Sequence, residues 1–187
     1  MVIKVNKGNY TNKLDVFNVI RYVINPERDD LITSGLVGIP ISASIEEIQN
    51  AFWKNKLYYR KTTGRNIRHI IISLSDEDMK YVDANALCNL GYYIANNIYV
   101  GYYMVFGIHQ PMVGHLHMHL VVDTVNYFTG LKLQESPWQL KQHKEMIKKF
   151  LNSFLPDGLC YQENLRNFKL NEEEYNLQKS NNIQSLL

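Results

Sequence analysis

Imidazole and apolar side chains alternate strictly over HLHMHL, residues 115–120, and two valines follow. Side chains two positions apart on a β-strand lie on the same face, so this pattern predicts a strand with one histidine face and one apolar face. The preceding run YYMVFGIH, residues 102–109, is also extended in character, and a short segment containing Pro111 and Gly114 separates the two runs. Together they predict a β-hairpin, and therefore a sheet that is at least partly antiparallel.

The remaining elements follow from apolar periodicity and from residues that favour helix ends. They are a strand at 2–5, a helix behind the candidate caps Thr11 and Asn12 that Pro26 ends, a helix from Ser44 with Glu47 in capping-box spacing, a strand at 68–74, a helix over 75–98 capped by Ser75, and a helix at 136–154. The resulting order is strand, helix, helix, strand, helix, hairpin, helix. It predicts an α+β fold in which helices pack on an antiparallel sheet.

The 187 residues, 45% of them hydrophobic, fit one globular domain. We expect this domain to span residues 1–170, with residues 171–187 forming a peripheral helix or tail. No apolar run approaches the ~20 residues of a membrane span, and the N-terminus lacks the apolar core of a signal peptide, so we expect a cytoplasmic protein. Cys88 and Cys160 have no metal-site spacing and are interpreted as structural.

Basic residues concentrate in one segment, although the net charge of the chain is only +2. Residues 53–69 carry several Lys and Arg, no acid, and the neighbouring Tyr58 and Tyr59. Such a mixture is typical of surfaces that neutralise phosphates and stack bases. A solvated basic loop is the alternative interpretation. The residues expected to contact DNA are Lys54, Lys56, Arg60, Lys61 and Arg65.

Four of the six histidines fall within residues 109–119. If the hairpin closes directly after His109, this residue lies opposite His115 and diagonal to His117, with Cβ separations of roughly 5 to 8 Å. Neutral imidazoles so placed can bind one metal ion at about 2.1 Å and leave coordination positions open. Two alternatives remain: a chance run of core histidines, and the histidine-triad nucleotide hydrolases, which share the alternation but use histidine as a nucleophile. His69, at the start of another strand, has no partner visible in the sequence, and a structural role is favoured for it.

Three longer segments resemble the relaxase or mobilisation nuclease family of plasmids and integrative conjugative elements. They are RYVINPERDDLITSG, GRNIRHIIISLSDED and GIHQPMVGHLHMHLVVDTVNYFTGLKLQESPWQL, and they occur in the family's order and approximate spacing over about residues 15–150. Relaxases belong to the HUH endonucleases, named for a His-hydrophobic-His motif. In this sequence that motif is His117, Met118 and His119. The resemblance implies an HUH or Rep-like palm as the fold.

The resemblance also implies the residues of an active site. Carried over by position, the nucleophile is Tyr22 in the first helix, and the metal ligands are His109, His117 and His119. His115 is then the additional histidine of the motif and lies outside the ligand set. Many relatives have an Asp two positions after the first histidine, where this chain has Pro111, which puts a carboxylate from this loop in doubt.

The activity implied is the nicking of one DNA strand at an origin of transfer, with the tyrosine left covalently on the 5′ phosphate. The implied cofactor is Mg²⁺ or Mn²⁺, which neutralises and orients a phosphodiester for in-line displacement. The implied partners are single-stranded DNA and accessory mobilisation proteins. A histidine-triad hydrolase and a DNA-binding module without turnover remain as alternatives at this stage.

Overall fold

The structure is a computed structural model that describes residues 1–156. A five-stranded antiparallel sheet forms its centre. Within these residues the strand order is β1-β3-β5-β4-β2, and every neighbouring pair is antiparallel. The strands are β1 (Val2–Val5), β2 (Leu31–Val37), β3 (Ile67–Ser73), β4 (Met104–His109) and β5 (His117–Asp123). The predicted α+β class and antiparallel sheet are confirmed.

Helices cover both faces of this sheet. The helices are α1 (Lys13–Ile24), α2 (Ile45–Tyr58), α3 (Ala84–Asn97) and α4 (Pro137–Asn152). One core joins α1 and α2 to the sheet through residues such as Val105 and Val121, and a second core joins α3 and α4 to the opposite face through Phe106 and Leu120. The strict alternation along β4 and β5 therefore produces two cores, because consecutive residues serve opposite faces. The histidines share the face covered by α1 and α2.

Several local predictions are confirmed by the hydrogen bonds at helix ends. Asn12 caps α1 by accepting from the Asp15 backbone N–H at 2.8 Å. Ser44 and Glu47 form a reciprocal capping box at the start of α2. Such caps satisfy backbone N–H groups that have no partner inside the helix, which explains why they mark helix starts in sequence.

The third helix begins later than predicted. Ser75 Oγ accepts from the Asp78 N–H at 3.3 Å beside a short 3-10 turn, Asp78–Lys80. Helix α3 starts after Asp83, whose carboxylate accepts from the Ala86 N–H at 2.8 Å. The sequence from Ser75 contains two candidate caps, and the second one begins the α-helix. The apolar Val82 is fully packed in the turn between them, which extends the apparent helical periodicity.

Strand β2 is absent from the predicted order, and its composition explains the omission. Ile32 is half exposed, and the strand contains the exposed Ser34 and also Gly35, a residue type depleted in strands. Gly35 lies over the ring of Phe106, where a Cβ would approach the ring to 2.2 Å. The glycine is therefore required by packing against another strand, which the local sequence does not reveal.

The hairpin register also differs from the prediction. The loop between β4 and β5 runs from residue 110 to residue 116, so His109 pairs directly with His117 and Gly107 pairs with His119. His115 lies outside β5 and does not share the histidine face. Residues 171–187 and Cys160 lie outside the described residues. Within residues 1–156, the helices are too short or too polar to cross a membrane.

Candidate metal and nucleophile site

Three imidazoles meet at one end of the central hairpin. His109 is fully buried, His119 is 5% exposed, and His117 is partly exposed. Their ring centroids are 5.6 Å apart for His109 and His117, 5.2 Å for His109 and His119, and 5.0 Å for His117 and His119. Rings that bind one ion at about 2.1 Å stand about 5 Å from each other, so these separations suit a shared ion.

Helix α1 ends against this cluster and brings Tyr22 to it. The Tyr22 ring stacks on His109 with centroids 6.1 Å apart and meets His119 edge-on at 5.4 Å. The approach depends on Gly107, because a Cβ there would lie 1.9 Å from the Val23 carbonyl oxygen. Tyr22 itself is 44% exposed, so its hydroxyl is accessible to a large substrate. The structure thus brings together all four residues that the sequence predicts for the reaction site.

Backbone carbonyls fix the free nitrogen on two of the three rings. His109 Nε2–H donates to the Val23 carbonyl at 2.9 Å, which leaves Nδ1 as the lone-pair nitrogen of the neutral ring. This buried Nδ1 has no hydrogen-bond partner. His117 Nδ1–H donates to the His115 carbonyl at 2.9 Å, so its lone pair is on Nε2. Each ring therefore retains one nitrogen that could bind a cation.

The third ring, His119, contacts another imidazole instead of a carbonyl. Its Nδ1 lies 2.9 Å from Nε2 of His69, and Nδ1 of His69 lies 3.0 Å from the Tyr10 hydroxyl. Sequence patterns reveal no partner for His69 and favour a structural role. The contact results from the pairing of β3 with β5, a long-range register that no local pattern encodes.

Burial favours the neutral form of the His109 and His119 imidazoles, which metal ligation requires, and of the neighbouring His69. It lowers the pKa of His69 to about 4 and, together with neighbouring rings, that of His119 to about 3. Burial also lowers the pKa of His109, although the Val23 carbonyl and Asp30 act in the opposite direction. As the side chains stand, no group of three or more His, Cys, Asp or Glu within residues 1–156 surrounds a single point as in a filled metal site. The donor set is present, but several ring nitrogens are held by protein hydrogen bonds.

Arg28 and Asp30, which the sequence patterns do not single out, complete the site. Arg28 binds Asp30 through two hydrogen bonds of 2.8 and 2.7 Å, and its Cζ atom lies 4.4 Å from the Tyr22 ring centroid. Asp30 Oδ1 is 3.5 Å from His109 Nδ1. The Arg28 guanidinium is the main reason that the pKa of Asp30 falls to about 2. Asp30 thus provides a carboxylate close to the first histidine, in place of the one missing at Pro111.

Most of the basic segment 53–69 lies towards the other end of the sheet, where Lys56 binds Asp123 at the end of β5, although its last residue, His69, contacts His119. Lys54, Arg60 and Lys61 are exposed, and Arg65 is partly exposed. Lys56 is different: its side chain is fully buried and its Nζ lies 2.6 Å from Asp123 Oδ1. The prediction that Lys56 contacts DNA is therefore wrong, because a buried amine paired with a carboxylate is not available to a phosphate.

Residues 22–154 match the model of the family described as relaxase, MobA/VirD2-like, nuclease domain. No curated sequence matches the chain.

Solved relaxases share the fold at low identity. The MobM relaxase domain bound to Mn and plasmid pMV158 oriT DNA has 18% identity and a TM-score of 0.53, covering 92% of this chain and 97% of that one. A protein from work on the molecular basis of vancomycin resistance transfer in Staphylococcus aureus has 13% identity and a TM-score of 0.55, covering 82% and 91%. At these identities the structures establish the fold alone.

Proposed function

The chain belongs to the MobA/VirD2-like family of relaxase nuclease domains, and from this we propose that it nicks one strand of DNA at an origin of transfer by forming a covalent bond between Tyr22 and the 5′ phosphate. This membership favours a relaxase over the histidine-triad hydrolase considered from the local pattern. A DNA-binding module without turnover is the remaining alternative. We also propose action in the cytoplasm, with accessory mobilisation proteins as possible partners.

The observation that carries this proposal is the contact between a tyrosine and a histidine cluster from distant parts of the chain. The Tyr22 ring contacts the rings of both His109 and His119. In the sequence, His109 is the nearer of the two histidines and lies 87 positions after Tyr22. Among the tyrosines within residues 1–156, the one that the family motif selects is the one whose ring contacts both of these histidines, which supports the proposal. An accessible phenol beside a set of neutral imidazoles is the arrangement that tyrosine transesterification needs.

His109, His117 and His119 would hold a divalent cation, Mg²⁺ or Mn²⁺. The buried and unpartnered Nδ1 of His109 supports this fit, since a lone pair facing the Asp30 carboxylate at 3.5 Å gains from a cation nearby. The MobM domain with the same fold has Mn bound. When bound, the ion supplies positive charge that offsets the anionic oxygens of the scissile phosphate and orients it.

The chain's own residues supply the nucleophile and further positive charge. The Tyr22 oxygen loses its proton and forms a bond to phosphorus while the bond from phosphorus to the 3′ oxygen breaks, and that 3′ oxygen takes up a proton. The bond energy is retained in the phosphotyrosine, so the reverse attack by a 3′ hydroxyl can rejoin a strand. The Arg28 guanidinium, which lies over the Tyr22 ring, is placed to stabilise negative charge during the transfer.

DNA contacts outside the reaction site are proposed for the exposed basic residues. They are Lys54, Arg60, Lys61 and Arg65. Tyr58, 80% exposed in the same segment, adds an aromatic face on which a base could stack.

The experiment that tests the proposal detects DNA that is covalently linked to the protein. Wild-type protein is incubated with Mn²⁺ and pooled single-stranded oligonucleotides and then separated on a denaturing gel. We expect a covalent adduct that maps to the peptide beginning at Tyr22, and its complete loss in Tyr22→Phe. The variant should still bind DNA to within about 1 kcal/mol, because it lacks a single hydroxyl.

Tyr92→Phe is the matched control, because Tyr92 is similarly exposed at 37% but lies on α3, on the opposite face of the sheet. It should form the adduct at the wild-type rate. An adduct that persists in Tyr22→Phe would assign the nucleophile elsewhere. Binding without adduct or free cut ends in the wild-type protein would favour the non-catalytic module.

A further inference from the structure

His119 is the one proposed ligand whose free nitrogen is not fixed by a carbonyl. We propose that His69, held in turn by Tyr10, sets the proton position on His119 so that its Nε2 is free to bind the metal ion. The inference rests on the metal site proposed above. It assigns His69 and Tyr10 as positioning residues that do not touch the ion or the DNA.

The three side chains form a buried chain of hydrogen bonds. Tyr10 is 9% exposed, and His69 and His119 are each 5% exposed. The distances are 3.0 Å from the Tyr10 hydroxyl to His69 Nδ1, and 2.9 Å from His69 Nε2 to His119 Nδ1. Water has little access to such a chain, so each ring nitrogen must find its proton partner within the protein.

Only one direction of this chain prepares His119 for a metal. If His119 Nδ1–H donates to His69 Nε2, then Nε2 of His119 carries the lone pair. His69 must then carry its proton on Nδ1 and donate it to the Tyr10 oxygen. In the opposite direction His69 donates to His119, whose Nε2 is then protonated and cannot bind a cation.

Tyr10 is the group that makes the productive direction possible. Asn6 also approaches His69 Nδ1, with its Nδ2 at 3.4 Å, and its Oδ1 already accepts from the Gly8 N–H at 3.0 Å. The Asn6 amide group can therefore only donate to His69, which favours the unproductive direction. The Tyr10 hydroxyl is closer and can accept a proton, so it offsets Asn6. Partners that hold the second nitrogen of a metal-binding histidine commonly contribute 10- to 100-fold in metal affinity.

The test measures Mn²⁺ binding to metal-free protein by titration calorimetry. We expect His69→Leu to weaken binding by about 10- to 100-fold, because no acceptor remains for His119 Nδ1–H. His69→Gln should recover most of the affinity, since its carbonyl oxygen can accept that proton. A role limited to filling space would make the Leu and Gln variants equivalent, which would overturn the inference.

Tyr10→Phe provides a second, milder variant. It should weaken Mn²⁺ binding by about 10-fold, and long-range ¹H–¹⁵N correlation spectra should show the His119 proton moving from Nδ1 to Nε2. Tyr99→Phe is the matched control, because it removes another buried hydroxyl, one that donates to Glu135 at 3.0 Å on the other side of the sheet. That control should bind Mn²⁺ as the wild type does.

A double variant tests the proposed metal site separately from the positioning role of His69 and Tyr10. His117→Ala combined with His119→Ala should abolish Mn²⁺ binding, and persistent binding would refute the proposed metal site itself. If the double variant loses binding while Tyr10→Phe keeps both wild-type affinity and the wild-type His119 proton position, the metal site stands and the positioning role is refuted. The Tyr10 variant keeps this conclusion available even if substitutions of His69 impair folding.

Discussion

Arg28 connects the two halves of the reaction site. Its guanidinium lies over the ring of Tyr22 and is held by two hydrogen bonds to Asp30, whose carboxylate faces His109. Because Arg28 is anchored by Asp30 on one side, its guanidinium has a fixed position beside Tyr22, where the proposed mechanism requires the scissile phosphate. Fixed charge of this kind stabilises a transition state without the cost of reorganising solvent.

Removal of this charge should slow the reaction more than it weakens binding. We expect Arg28→Met to reduce the rate of adduct formation by about 100-fold, a transition-state loss of about 2.7 kcal/mol, with a small change in DNA affinity. The rate for Arg28→Lys should fall between the rates for the wild type and for Arg28→Met, since Lys keeps the charge but cannot bind Asp30 with a planar pair of donors. Single-turnover rates at saturating DNA measure the effect. Arg21→Met, on the exposed side of α1, is the control, and equal rates for both Met variants would refute the role of Arg28.

The residues that sequence alone can identify are those in motifs. Tyr22 and the proposed ligands His109, His117 and His119 follow from a family pattern, and their side chains lie together in the structure. The role of His69 is hidden in sequence because its partner lies across a strand pairing. The prediction for Lys56 is wrong for a related reason: its charge is visible in sequence, but its burial against Asp123 is not.

At the scale of elements, the site depends on how closely α1 approaches β4. Gly107 allows the Val23 carbonyl to lie directly above the strand, where it accepts from His109 Nε2–H at 2.9 Å. One contact therefore positions both the tyrosine, which precedes Val23, and the tautomer of His109. A larger residue would force the helix end away from the sheet.

Gly107→Ala should accordingly damage the site beyond its effect on stability. The added Cβ would meet backbone at 1.9 Å, and we expect loss of adduct formation together with weaker Mn²⁺ binding. Gly91→Ala is matched to it, because its Cβ would meet the Phe106 ring at 2.7 Å in the core on the opposite face. Both variants should lower the melting temperature. At a temperature where both remain folded, only Gly107→Ala should lose Mn²⁺ affinity, and equal losses would contradict the proposed importance of this contact.

Elements are predictable where local chemistry decides them. The caps of α1 and α2 and the central hairpin follow from side chains within a few residues of each other. Strand β2 is not predictable, because Gly35 is required by close packing against the Phe106 ring on a neighbouring strand, which the local sequence does not show. The hairpin register also cannot be predicted from the sequence. The loop at positions 110–116 has seven residues, and a loop of this length contains no tight-turn motif that would fix the register.

On the scale of the whole molecule, the proposed reaction site and the proposed DNA contacts lie towards opposite ends of one strand. His117 is at the start of β5, whereas Asp123 at its end binds the buried Lys56 of α2. Six residue steps at about 3.3 Å place these ends about 20 Å apart. The exposed basic residues that follow Lys56 would therefore contact DNA several nucleotides away from the scissile bond.

Affinity and chemistry should consequently respond to different substitutions. Replacing Lys54, Arg60, Lys61 and Arg65 with Gln should weaken DNA binding and flatten its salt dependence by about 0.7 in slope for each phosphate that the protein no longer neutralises. The rate of adduct formation at saturating DNA should remain unchanged, because these side chains lie far from Tyr22. Fluorescence anisotropy over a range of salt concentrations measures the slope. An unchanged salt slope would show that these four basic side chains are solvated and do not contact DNA.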